Sequence, residues 1–110
     1  MTVRDMLQKF NLEVMTGENG LDNEIESAYI GDLLSWVMGN APHRCAWVTI
    51  CGHINIIAVG LLVECACIIV TENAAVDSAT IEKAIAEDIP ILHTGLTSYE
   101  TAKMLAELSL

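Results

Sequence analysis

The chain has 110 residues, 53% of them hydrophobic, and sets five basic side chains against fifteen acidic ones for a net charge of −10. That length holds one domain, here residues 1–110, and the charge excludes polyanions as natural partners, so no nucleic acid and no anionic membrane is expected. A mean hydropathy of +0.45 is high for a domain that hides only about two thirds of its unfolded surface, and the surplus points to a partner subunit.

Taken in chain order, Thr2 followed by Asp5 predicts a helix start, with Val3, Met6, Leu7 and Phe10 as its apolar face. Residues 11–16 alternate, with Leu12 and Val14 facing one way, and read as a short strand; 17–20 form a turn. Residues 25–30 give a second, weaker strand. Asp32 is expected to cap a helix through Leu33, Leu34, Trp36, Val37 and Met38, which Gly39 to Pro42 end.

From there one theme repeats three times: an apolar run, then a helix. The runs are 45–50, 65–70 and 89–92; the helices are 54–64, 78–87 and 98 onward. Such alternation with short connections predicts an α/β domain, a mostly parallel sheet flanked by helices with right-handed crossovers. The runs are continuous rather than alternating, as strands buried on both faces should be.

Two helices look too apolar for a single chain. Residues 54–63 offer almost no polar face, and 33–38 only Ser35. A helix apolar all round is buried all round, which in a small two-layer domain requires another chain. A homodimer is the expectation.

In a parallel sheet, ligands bind beyond the carboxyl ends of the strands, where helix N-termini also point. The loops there collect His53, Asn55, Thr71, Glu72, Asn73, His93 and Thr94. Bland roles compete: Thr97 with Glu100 is a capping-box pattern, Asn73 and Asp77 are ordinary turn and cap residues, and either histidine can cap a helix or face solvent.

The four cysteines do not suggest a metal, because such sites place thiolates in spaced loop pairs. Cys65-x-Cys67 is read as lying within a strand with both side chains on one face, and Cys45 and Cys51 bracket another strand. They are expected to be buried, reduced and metal-free, with Cys51 beside His53 the one to watch. No nucleophile elbow, phosphate-binding loop or dinucleotide fingerprint is present, so no cofactor and no catalytic residue is assigned. The acidic stretches 18–26 and 82–88 read as solvated faces. The start, Met1 to Asp5, has no signal-peptide character, and 54–63 is too short to span a bilayer. A cytoplasmic location follows as the expectation.

The stretch from Tyr29 to Met38, then Trp47-Val48-Thr49-Ile50 with His53-x-Asn55-Ile56-Ile57-Ala58-Val59, resembles the DRTGG domain family. Ile89-Pro90-Ile91-Leu92 and Thr97 to Ala102 are similar as well, so the match covers nearly the whole chain, like a stand-alone member. The family is named for an Asp-Arg after one strand and a Thr-Gly-Gly after the next. This sequence has Gly52-His53 and Thr71-Glu72-Asn73 there, keeping only Thr71. The resemblance implies a fold like the N-terminal domain of HPr kinase/phosphorylase. It also implies a dimer and a regulatory role, since such domains accompany CBS domains in some pyrophosphatases and precede phosphotransacetylase catalytic domains.

The expectation is therefore a non-catalytic regulatory module. It would sense a small cytosolic ligand, a nucleotide or phosphorylated metabolite, through His53, Asn55, Thr71, Asn73, His93 and Thr94. The alternative is a protein-interaction adaptor that binds nothing small. A metal- or thiol-dependent enzyme using Cys51, His53 and His93 has no further motif behind it.

Overall fold

The computed structural model describes all 110 residues. Its elements run α1 (Val3–Lys9), β1 (Glu13–Val14), β2 (Ser27–Ile30), α2 (Leu34–Asn40), β3 (Cys45–Thr49), α3 (Asn55–Val63), β4 (Cys67–Val70), α4 (Ser78–Ala86), β5 (Ile91–His93) and α5 (Ser98–Ala106). The five strands form one sheet in the order β1-β5-β4-β3-β2. Strands β2 to β5 are parallel, and β1 closes one edge antiparallel to β5, Glu13 opposite His93. No helix is long and apolar enough to cross a membrane.

The apolar runs become strands because each has helices on both faces to meet. Cys45, Trp47, Ile68, Val70 and Ile91 point into a core with Val37 of α2, four residues of α3 and Ala84 of α4. Ala46, Val48, Cys67, Ile69 and Leu92 point the other way, onto Val3 and Met6 of α1 and Leu105 of α5. The domain thus has three layers, not the two expected. Because the extra layer covers only the α1/α5 side, it does not shield α2 and α3 from outside.

The outer residues of α3, Ala58, Leu61 and Leu62, are exposed, while Ile56, Ile57, Val59, Gly60 and Val63 are buried. On α2 only Val37 is buried; Leu33 is 68% and Trp36 62% exposed. The prediction that these helices are buried all round fails within one chain.

Two further expectations need correction. Asp32 does not cap α2, whose N-cap is Leu33 with no side-chain hydrogen bond. Its Oδ1 instead accepts from Thr49 Oγ1 at 2.8 Å and from the Ile50 amide at 2.9 Å, since the end of β3 lies alongside. Cys65 and Cys67 do not share a face: Cys65 lies in the α2–α4 core and Cys67 in the α1/α5 core. The period of two holds only inside a strand, and Cys65 precedes β4, its amide still bonded to the Gly60 carbonyl of α3. Glu64, left-handed at φ 54°, turns the chain there.

Candidate functional site

Four loops follow the carboxyl ends of β2 to β5, and hydrogen bonds tie each to its neighbour. The first link is Asp32 to Thr49 and Ile50, backed by the buried Trp47 indole, which donates to the Gly31 carbonyl at 3.0 Å. In the second, the Gly52 carbonyl accepts from the Asp77 amide (3.1 Å) and from Thr80 Oγ1 (2.8 Å). A Cβ at Gly52 would stand 1.9 Å from the Ala75 carbonyl oxygen, so only glycine permits this approach.

The third link is the densest. The Glu72 and Asn73 amides donate to the Leu96 and Thr94 carbonyls, Thr71 Oγ1 and Ser98 Oγ lie 2.7 Å apart, and the Ser98 amide donates to Glu72 Oε2 at 3.1 Å. Glu72 and Asn73 are both left-handed, at φ 62° and 53°. Two successive non-glycine residues in that region hold only because partners on the next loop fix them.

The six expected site residues do lie along this one edge, in unequal states. Thr71 is buried and bonded to Ser98. Thr94 is buried, and its hydroxyl accepts from the Leu96 amide. His93 places Nε2 2.8 Å from the Ala74 carbonyl oxygen and Nδ1 3.8 Å from Glu13 Oε1. These three are engaged within the protein. His53, Asn55 and Asn73 are exposed, and His53 Nδ1 accepts from the Asn55 amide, capping α3.

Helix starts are less available than the loop pattern implies. At α5 the capping box is complete: Thr97 Oγ1 accepts from the Glu100 amide and Glu100 Oε1 from the Thr97 amide, both at 3.0 Å. Those bonds hold the Glu100 carboxyl below its ordinary range. The Glu72 carboxylate already occupies the next amide.

The thiols offer little reactivity. Burial pushes Cys45 up to about 11 and Cys65 to about 12, and raises Cys67 well above its ordinary value. Cys51 is half-buried. No three His, Cys, Asp or Glu side chains gather closely enough to hold a metal ion. No hydrogen bond joins a cysteine, serine or threonine side chain to a histidine, so no nucleophile-base pair is formed.

Concave surface lies elsewhere. One depression, of about 670 Å³, opens at the opposite, amino end of the sheet between Arg44, Glu64 and Asp88. Another, of about 790 Å³, lies between the end of α1 and the β5–α5 loop and reaches only His93 and Thr94 of the expected residues. Sequence reading missed the Asp32–Thr49 link and the Lys9, Phe10 and Met104 walls of the second depression. The apolar periodicity of α1 was the only signal near the latter.

Over residues 5–108 the sequence matches the DRTGG domain. The chain belongs to the DRTGG domain family. No curated protein matches it. Among solved structures it is similar to the CBS and DRTGG domains of the regulatory region of Clostridium perfringens pyrophosphatase, in complex with the activator diadenosine tetraphosphate. The TM-score is 0.68 at 14% identity, over 93% of this chain and 43% of that one. The DRTGG fold is thus shared, the chain spans less than half of that neighbour, and in the neighbour the domain sits within a regulatory region.

Proposed function

We propose that this chain is a cytoplasmic, non-catalytic regulatory module that dimerises and senses a nucleotide or phosphorylated metabolite at the strand-end loops. The observation that carries the reading is the unbroken hydrogen-bonded linkage from Asp32 through Gly52 to Glu72 and Ser98. A ligand touching His53, Asn55 or Asn73 would contact loops joined to one another by hydrogen bonds, a contiguous network of the kind that can carry coupling. Neither His53 nor His93 is hydrogen-bonded to a serine, threonine or cysteine side chain, so the edge offers binding contacts rather than a nucleophile-base pair. The regulatory setting and nucleotide activator of the structural neighbour supply the ligand class.

A second copy is the proposed partner of the exposed apolar flank. Residues 27–42 contain one charged side chain, Asp32, and 45–63 contain none. For a chain of net charge −10, this is where two copies meet with least repulsion. Strand β2 is an uncovered sheet edge with Ala28 and Ile30 exposed, and Ser27 Oγ on it is the one buried side-chain polar atom without a hydrogen-bond partner. Proteins do not leave such an edge bare.

A thermal-shift screen of nucleotides and phosphorylated metabolites tests the ligand. A true ligand raises the melting temperature with concentration, by about 2.7 kcal/mol of stability at one hundred times Kd. His53→Ala with Asn55→Ala should abolish the shift. A dimer that responds to no compound in the screen points instead to the adaptor, a reading favoured by the internal engagement of Thr71, His93 and Thr94.

A further inference from the structure

The five basic side chains are not equivalent. Arg4 is held by Glu18 and Asp22, Arg44 by Glu26 and Lys83 by Glu87. Lys9 and Lys103 have no carboxylate within salt-bridge distance, in a chain where acids outnumber bases three to one. Lys9 lies in the last turn of α1 and Lys103 in the last turn of α5. Both line one depression of about 520 Å³, whose apolar wall is Phe10, Leu96 and Met104. That depression shares Lys9, Phe10, Leu96 and Met104 with the 790 Å³ cleft running toward His93, so the two form one groove between α1, α5 and the end of β5.

A cation in the last turn of a helix is favoured by the helix dipole on its own account. That explains each lysine singly, and leaves unexplained why both flank the same apolar wall. The Lys103 ammonium lies 5.5 Å from the Tyr99 ring centroid, a contact that leaves its donors free. Of the carboxylates in the groove, Glu100 is turned back onto the Thr97 amide and Glu13 toward His93. Glu107 is the remaining one, and it lies at the end of the groove beyond α5.

We propose that this groove is a binding site for an organic anion of mononucleotide size, its flat apolar ring laid on Phe10, Leu96 and Met104 and its phosphate or carboxylate held by Lys9 and Lys103. Half-buried Phe10 and Met104 offer a ring face and a pliable thioether to a planar group. Each lysine supplies three donors and full charge to the anion. Each depression alone, about 790 and 520 Å³, falls in the range of ordinary ligand clefts and suits one ring and one anionic group. The inference rests on the regulatory reading for its purpose and adds, on the α1/α5 flank, a second site separate from the loop tips.

The test is amide chemical-shift mapping of the full chain with adenosine monophosphate, and with anilinonaphthalene sulfonate as a second flat-ringed anion. Saturable shifts at Lys9, Phe10, Leu96 and Met104 are expected. Lys9→Gln with Lys103→Gln should weaken adenosine monophosphate binding at least tenfold with the rest of the spectrum unchanged. Inorganic phosphate alone should bind at least tenfold more weakly than the nucleotide. Shifts confined to His53, Asn55 and Asn73, indifferent to the lysine substitutions, would overturn the groove and keep the regulatory reading. Absence of saturable shifts with both ringed anions at millimolar concentration overturns the groove as well, and the wider thermal screen then decides the regulatory reading separately.

Discussion

The flank built from α2 and α3 and the flank built from α1 and α5 cover the same sheet by different means. Helices α1 and α5 each open on a complete capping box, Thr2 with Asp5 and Thr97 with Glu100. Helices α2 and α3 have Leu33 and Ile54 at the N-cap, neither with a side chain that can cap, and at α3 only His53 just before it accepts from the Asn55 amide. The first pair is specified locally, by residues three apart. The second pair is held by what it packs against: Val37, Ile56, Ile57, Val59 and Val63 in the core, and loops pinned through Asp32 and Gly52. Charge follows the same division, with Asp32 alone on the tertiary flank. A flank without local signals or charge depends on neighbours, and its own chain supplies only the inner ones.

The largest expected effect breaks the comparison at that outer face. Leu33→Glu with Trp36→Glu should convert a dimer of about twice the 11.9 kDa chain mass into monomer, as read by sedimentation at micromolar concentration. The same pair of charges placed on α5 at Tyr99 and Ala106, both exposed, should leave the mass unchanged. If the wild type already sediments as a monomer, the α2/α3 flank has no second copy on it.

Next comes the tertiary device that replaces a cap before α3. Gly52→Ala forces a Cβ to 1.9 Å from the Ala75 carbonyl oxygen, and should cost about 3 kcal/mol in urea unfolding, at the upper end of overpacking penalties. A cost under about 1 kcal/mol would show that the β3 and β4 loops separate easily, against the idea that they act as one unit.

The smallest effect belongs to the local flank. Thr97→Ala should cost about 1 kcal/mol by removing the α5 cap. The pH dependence has a definite sign. Asp5 and Glu100 are held below their ordinary carboxylate values in the fold, first by backbone hydrogen bonds from Thr2 and Thr97. A depressed folded value means the contribution is complete above the unfolded carboxylate range and lost as pH falls through the folded value. Glu100→Gln should therefore melt below the wild type at neutral pH, and the gap should close on acidification. A gap independent of pH would deny the carboxylate its capping role.

The same division explains what was legible in the sequence. The capping boxes, the apolar runs of β3, β4 and β5 and the apolar face of α1 are patterns a few residues wide, and they read correctly. Asp32 misled because an aspartate before a helix normally caps it, and here Thr49 and Ile50 on the neighbouring strand competed successfully. Cys65 misled because the left-handed turn at Glu64 delays the strand. Topology alone gathered the six expected residues along one edge, and the structure places them together there. Their bonding was invisible, since Thr71 meets Ser98, and His93 meets Ala74, only across loops. Lys9 and Lys103 line one depression although nearly the whole chain separates them, so no local pattern joins them.

The strand order also carries a consequence for how the molecule is made. Strands β2, β3 and β4 each pair with the next in sequence, so the parallel part of the sheet can grow in the order of synthesis by short-range closures. Strand β1 is translated early yet pairs only with β5, Glu13 finding His93 near the far end of the chain. The sheet edge that β1 seals therefore stays open until β5 is in place, while α1 waits for the Leu92 side of its core. Of the five strands, β1 therefore depends on the longest loop closure, the one that brings Glu13 to His93.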